Sequence, residues 1–512
     1  MQVLLIHPPV TKPSEPPAGI ALLATALRSH GISCVTVDAN REGLLELMGM
    51  PCAASDTWTR RAARSVNGAI ALLRSPEAWR SFDRYCRAVR DCNRMLAVQG
   101  ATSGVRLSCG DYRDSRRSPL RSADLRDAAY RYEQNPFFPY FSGRIDPLLQ
   151  NNPQLIGFSL NFLSQALTAF AMIGFIRSSG YTGRIVLGGG LITSWLRRGV
   201  HDNPFPDLVD ELIDGPGEQR IVALCGKNFH KMIPVTPDYS GSLDPAQYLS
   251  PVLILPYRCS CGCYWSKCSF CPETAEGTPY QPLPPDAVIA DLNHLVQTLR
   301  PGLIHFLDNA LSPLLLHALI DHPPRVPWYG FARITEELTD PDFCTRLRQS
   351  GCCMLQLGIE SCDDRVLEKL RKGITLDRVE RALRALQHAG IAVYAYVLFG
   401  TPAETPESAR RTLAGIVRMS AAIRFLNLAI FTMPLTATDR KQRAPLFYNA
   451  DLSLCRDLVH PHGWDRAAIR RFLQREFTSH PAIAPIIRRD PPLFTSNHAP
   501  FFCPAWEHQE HT

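Results

Sequence analysis

Five of the chain's seventeen cysteines fall between residues 259 and 271, in the run Cys259-Ser-Cys261-Gly-Cys263-Tyr-Trp-Ser-Lys-Cys268-Ser-Phe-Cys271-Pro-Glu. So many thiols on one short stretch predict a metal site. Three thiolates on a loop can hold three irons of a four-iron cluster and leave the fourth iron open to a chelating ligand. A structural zinc knuckle is the alternative, but zinc prefers four closed ligands and no matching Cys or His pair lies nearby in the sequence. The odd cysteine count and the clustering fit a reducing compartment and metal ligation better than a disulfide framework.

A chain of 512 residues, 45% hydrophobic and 20% charged, has the composition of an ordinary globular protein of several domains. The first residues lack the basic start and the apolar length of a signal peptide, and no window approaches ~18 uninterrupted apolar residues. A cytoplasmic protein with no membrane partner is expected. Residues 51–150 carry 17 arginines, no lysine and 10 acidic residues, which accounts for the whole net charge of +7. Without an aromatic-interleaved RNA motif, this run reads as solvated helix faces rather than a nucleic-acid surface.

Hydrophobic periodicity predicts an α/β chain. Residues 2–6 read as a buried strand, 19–30 as a helix and 33–37 as a second strand. The pattern breaks near Leu47 and resumes at Leu155 with further strands over 155–160 and 183–188 and a helix over 165–177. This is a doubly wound, Rossmann-like domain over 1–228, interrupted by an Arg-rich, helical insertion over about 50–150. A linker rich in proline, including Pro234, Pro237 and Pro245, is expected over 229–249. Six strand patterns separated by helices then fill 250–435 and predict a partial (β/α)6 barrel, with the cysteine loop after its first strand, on the carboxyl edge where such barrels build their sites. Residues 436–512 form a small C-terminal extension with no assigned role.

Cys263-x4-Cys268-x2-Cys271, with Phe270 before the last cysteine, resembles the loop of the radical S-adenosylmethionine (SAM) superfamily. The usual first gap is three residues; here it is four, which leaves Cys261 and Cys259 as alternative first ligands. The likeness continues at successive strand ends, with Leu307-Asp308-Asn309, Phe331-Ala332-Arg333, Gly358-Ile359-Glu360-Ser361 and Leu398-Phe399-Gly400-Thr401-Pro402-x-Glu404-Thr405. It implies a [4Fe–4S] cluster on Cys263, Cys268 and Cys271, with SAM held by Phe270, Asp308, Arg333, Glu360 and Gly400. Read from the residues alone, Arg333 and Glu360 could instead be a salt bridge across barrel strands, and Gly400 a strand-end turn.

The first domain resembles the cobalamin-binding domain found in one branch of that superfamily. The likeness rests on His7-Pro8-Pro9, on Ile156-Gly-Phe-Ser159 with Gln165, on Gly188-Gly189-Gly190, and on Gly215-Pro-Gly217-Glu218. It implies cobalamin contacts at Pro9, Ser159, Gln165, Gly188, Gly189, Gly215, Gly217 and Glu218. No Asp-x-His-x-x-Gly motif supplies a histidine to cobalt; that leaves open a domain that binds no corrin.

The resemblance implies an enzyme that cleaves SAM to a 5′-deoxyadenosyl radical and methylates an unactivated carbon of a small-molecule or peptide substrate. An external electron donor such as flavodoxin or ferredoxin would reduce the cluster. A non-methylating radical outcome, with or without cobalamin, is one alternative; a zinc-containing nucleic-acid-binding protein is another. No general acid or base is assigned. Tyr394 and Tyr396 alternate on the fifth barrel strand, facing substrate or packing the core. His460 and His462 read as loop residues rather than metal ligands.

Overall fold

The computed structural model describes residues 2–52, 56–229 and 236–507; Pro234 of the expected linker lies outside them. The chain divides into two units, Met1–Ile254 with Thr436–Leu454, and Leu255–Leu435 with Cys455–Thr512. Among the described residues no helix is long and apolar enough to cross a membrane.

The first unit is built on five parallel strands, β1 (Val3–His7), β2 (Cys34–Asp38), β3 (Leu155–Ser159), β4 (Arg184–Gly188) and β5 (Glu211–Leu212), in the order β2-β1-β3-β4-β5. β1 is buried along its whole length, as the apolar run Val3–Ile6 requires of a central parallel strand covered on both faces. It pairs with β2 from Val3↔Cys34 to His7↔Asp38 and with β3 from Val3↔Leu155 to Ile6↔Phe158. The strand order reverses between β1 and β3, and open sheets of this kind receive ligands at the carboxyl edge of such a reversal.

The insertion is mainly helical, with long helices Thr57–Leu73 and Phe82–Thr102 packed on each other. Its helix Ser122–Tyr130 covers the apolar helix Leu163–Ser178, so closely that a Cβ on Gly174 would lie 1.9 Å from the Ala129 carbonyl oxygen. Many of its arginines are matched. Arg94 reaches Asp56 at 2.6 Å, Arg126 reaches Asp207 at 2.6 Å, Arg144 reaches Glu42 at 2.9 Å, and Arg117 pairs with both Asp114 and Asp127.

The described part of the expected linker is not free chain. Tyr239, Leu243, Tyr248 and Leu249 are buried, and the Tyr248 hydroxyl donates to Asp38 Oδ2 at 2.6 Å. Apolar and aromatic anchors override the proline signal there. The expected C-terminal extension is also divided, because Thr436–Leu454 belongs to the first unit. Arg440 Nε donates to the Arg198 carbonyl at 2.7 Å, Leu452 N to Leu120 O at 2.9 Å, and Ser122 N to Asp451 Oδ1 at 3.0 Å.

The second unit holds six strands in sequence order, β6 (Ile254–Tyr257), β7 (Leu303–Leu311), β8 (Trp328–Ala332), β9 (Cys352–Glu360), β10 (Ala392–Phe399) and β11 (Phe425–Ile430). The pairs from β7 to β11 are parallel, and the alternating helices make this the partial barrel expected. The register Phe331↔Gln356↔Tyr394↔Phe425 sets those four residues on one face. Rings line it: His305 stacks on Tyr329 at 4.4 Å, Phe331 lies 5.1 Å from Tyr396, and Tyr394 lies 5.3 Å from Tyr396. The last segment packs against the barrel through Phe472 and Phe477, 5.8 and 5.3 Å from Phe399.

Candidate functional site

The loop that follows β6 turns back as a short hairpin, Ser260–Cys261 against Gln281–Pro282. Gly262 leaves the first strand at φ +72°, and a Cβ there would lie 2.6 Å from the Pro279 carbonyl oxygen, so only glycine is accommodated without displacement. All seventeen cysteines are free thiols. Cys259 is buried beside the Asp308 carboxylate, and burial followed by that charge pushes its thiol well above the usual range. Burial of this kind lowers a thiol's reactivity. Cys261 lies on the first strand of the hairpin, while Cys263, Cys268 and Cys271 follow on the loop that connects its two strands.

Burial pushes the Cys268 thiol up, and Lys372 and then Arg333 pull it down. Cys271 precedes the short helix Pro272–Glu276; burial raises its thiol while the amides of Thr274 and Glu273 bond to it and oppose the shift. The loop is tied to the turn after β9. Trp265 Nε1 donates to Arg371 O at 3.1 Å and Ser269 N to Leu370 O at 3.0 Å. Arg333 lies 4.2 Å over the Trp265 ring, with Nη1 3.8 Å from Cys268 Sγ. Among the described residues no three Cys, His, Asp or Glu side chains surround one point as a single ion would require.

The strand-end residues divide into two groups. Arg333, Glu360 and Phe270 are brought to the cysteine loop. Glu360 has φ +62° at the point where the β9–β10 register shifts, and its carboxylate meets Lys372 Nζ at 2.7 Å. The cross-strand salt bridge between Arg333 and Glu360 is therefore not formed; Lys372, which sequence reading missed, takes Glu360. Its only sequence signal was its place before Gly373, a glycine at φ +73° against which Trp265 packs.

Asp308 is buried against the start of the cysteine loop. Strand alternation leaves Leu307 and Asn309 exposed and buries Asp308, whose oxygens accept from Cys259 N at 2.9 Å and Ser260 Oγ at 2.5 Å. Burial raises its carboxyl against those two bonds. The structure gives this residue the task of fixing the loop's entry. A cavity of about 420 Å³ opens beside it, bounded by Tyr264, Tyr280, Leu283, Asp308 and Leu315.

Gly400, at φ +81°, donates its N–H to Glu404 Oε2, which also accepts from Trp464 Nε1 at 2.9 Å. Burial outweighs these bonds and pushes the Glu404 carboxyl from 4.5 up to about 7. The folded state thus holds the proton more tightly than the unfolded chain, so its stabilising contribution is complete below pH ~4.5 and is lost as the pH rises through about 7. Glu404→Gln should flatten the fall in melting temperature between pH 5 and 8, an effect of about 3 kcal/mol. Parallel melting curves for parent and variant across that range would refute it. Nearby, His460 Nε2 lies 2.8 Å from the Thr401 carbonyl oxygen and its Nδ1 faces the His462 N–H, a loop arrangement. Tyr394 donates to Asp490, and Tyr396 accepts from Gln356 Nε2 at 3.0 Å.

In the first unit, Ser159, Gly188, Gly189 and Gly215 stand at or just beyond the carboxyl ends of β3, β4 and β5. Gly189, at φ +100°, is the tightest point, since a Cβ there would lie 2.4 Å from the Leu160 carbonyl oxygen. The Gly190 N–H donates to Asn161 Oδ1 at 3.0 Å, a partner sequence reading did not name. Asn161 and Phe162 are exposed beside it. Gln165 is fully buried and acts as a brace, accepting from Asn161 N and Phe162 N and donating to Pro8 O at 2.8 Å. Pro9 is buried, while Gly217 and Glu218 begin the helix Glu218–Leu224.

The six-strand partial barrel carries its cysteine loop beyond its first strand, and residues 257–414 match the family described as the Radical SAM superfamily. Three thiols on that loop, flanked by Arg333, Lys372 and Lys267, are a donor set that fits an anionic iron–sulfur cluster.

Over 190 residues the chain is 25% identical to the anaerobic magnesium-protoporphyrin IX monomethyl ester cyclase of Rubrivivax gelatinosus, covering 35% of this chain and 33% of that protein. Over 64 residues, 12% of each chain, it is 36% identical to an uncharacterized protein of Methanopyrus kandleri. The chain thus spans about a third or less of these curated relatives. Its fold is similar to that of the radical SAM methyltransferase TsrM from Kitasatospora setae. The TM-score is 0.52 at 16% identity over 85% of this chain and 74% of that one, in a structure with tryptophan substrate and a SAM analog bound. A second structure of that enzyme, with cobalamin and a [4Fe–4S] cluster bound, matches with a TM-score of 0.51 at 16% identity over 85% of this chain and 77% of that one.

Proposed function

We propose that the chain is a cobalamin-dependent radical SAM enzyme that methylates an unactivated carbon, with Cys263, Cys268 and Cys271 holding the cluster. The observation that carries the iron site is the placement of those thiols on a loop braced by Arg333, Trp265 and the turn over 369–373. Arg333 and Lys372 offset negative charge beside Cys268, and Glu360 presents a carboxylate at the neighbouring strand end for SAM. When bound, the cluster and SAM supply a carbon-centred radical, and cobalamin supplies a transferable methyl group. The protein's share is to bind, orient and shield.

The corrin reading is supported by the carboxyl edge of the first sheet, where Gly189 permits an approach that any side chain would close, and by the fold's likeness to TsrM with cobalamin bound. With no Asp-x-His-x-x-Gly motif, cobalt would take no lower histidine from such a sequence. A second reading, radical cyclisation or another outcome without methyl transfer, is favoured by the likeness to the Rubrivivax cyclase.

Anaerobic isolation with metal and sulfide analysis tests the proposal. About four irons and about one cobalt per chain are expected. Iron without cobalt after reconstitution with hydroxocobalamin overturns the corrin reading; one zinc without sulfide overturns both. Transfer of a labelled methyl group from SAM to product separates methylation from cyclisation.

A further inference from the structure

The turn after β9 carries a buried lysine whose position is hard to explain by stability alone. Lys372 is 7% exposed and its Nζ meets Glu360 Oε1 at 2.7 Å. Burying a pair of opposite charges costs desolvation that their attraction often fails to recover, so such a pair is weak support for a fold. Here the arrangement also requires Glu360 at φ +62°, a region disfavoured for side-chain-bearing residues, and strain of this kind concentrates at working sites. The pair lies directly over Gly358, where a Cβ would come 2.3 Å from Glu360 Oε1 and 2.5 Å from Lys372 Nζ. The strand is kept bare to admit it.

The same lysine touches the cysteine loop. Its Nζ stands 5.7 Å from the Phe270 ring centroid, and its carbonyl accepts from Arg333 Nη2, while the other guanidinium nitrogen of Arg333 lies 3.8 Å from Cys268 Sγ. Lys372 therefore joins the thiol loop to the Glu360 carboxylate, and its charge is partly shielded from water.

We propose that Lys372 is a positioning residue that holds the Glu360 carboxylate over Gly358 for SAM and supplies positive charge that raises the reduction potential of a cluster on the Cys268 loop. Charge and hydrogen bonding near the sulfurs are established levers on such potentials. The inference rests on the radical SAM assignment and is independent of cobalamin.

The test compares Lys372→Met, Lys372→Arg and the exposed control Lys441→Met in the full-length, anaerobically reconstituted enzyme. Iron content is measured first, then the midpoint potential by spectroscopically monitored titration, and SAM affinity by equilibrium binding. Lys372→Met is expected to keep its iron, shift the potential to more negative values and weaken SAM binding on the order of tenfold. Lys372→Arg restores the potential, because the charge is kept, but not the affinity, because the wider guanidinium displaces the carboxylate. Lys441→Met changes neither. A filled Lys372→Met cluster with parental potential and SAM affinity overturns the proposal. If that variant does not assemble a cluster, Lys372→Arg decides: a lowered potential, or parental SAM affinity, overturns it. Absence of a cluster from the parent would instead strike at the radical SAM assignment.

Discussion

Replacing Cys268 or Cys271 with alanine is expected to cut the iron of the anaerobically reconstituted protein from about four per chain to below about one, and to abolish 5′-deoxyadenosine formation under reducing conditions. Cys263→Ala should do the same. Cys259→Ala should keep its iron, because that thiol is buried against Asp308, ahead of the strand Ser260–Cys261 from which the loop departs. The contrast matters more than any single loss. A zinc knuckle predicts zinc and no sulfide in the parent, and a first ligand at Cys259 predicts that Cys259→Ala fails with Cys268→Ala. Iron and sulfide assays on the four variants decide among these outcomes.

Gly373→Ala is expected to be nearly as damaging, although residue 373 holds no metal. Its φ is +73°, and an added Cβ would lie 2.2 Å from Trp265 Cζ2. Trp265 is the ring on which Arg333 rests and which hydrogen-bonds to Arg371 O, so moving it loosens the loop. Gly390→Ala separates the two contributions, since Gly390 also has φ +73° but nothing lies within 4 Å of its Cβ position. The backbone cost alone should be about 1 kcal/mol at Gly390; strain plus clash at Gly373 should reach about 3 kcal/mol. Melting curves and iron retention measure both. Equal losses in the two variants, with iron retained in each, would show that Trp265 does not brace the loop.

Much of the barrel was legible in the residues because parallel strands covered on both faces are short apolar runs, as in Ala392–Phe399, separated by amphipathic helices. The cysteine loop was legible because its thiols are sequential. Asp308 shows where that stops. A motif places it at a strand end, but a strand sends alternate residues to opposite faces, and the face became visible only with the strand in place. The segment Thr436–Leu454 shows the same limit at larger scale: proline, arginine and aspartate spacing carries no record that Arg440 will reach the Arg198 carbonyl 242 residues away.

The sequence by itself determined the spacing of the loop thiols and the two sheet units, because thiol spacing and hydrophobic period are local properties of the polymer. Tertiary structure alone decided which charges meet: Glu360 with Lys372 rather than Arg333, Arg333 with Trp265 and Cys268, and Asp308 with the amide of Cys259. Those choices follow from a register shift in β9, a left-handed residue at its end and a glycine facing a tryptophan. Each depends on contacts between segments far apart in the chain.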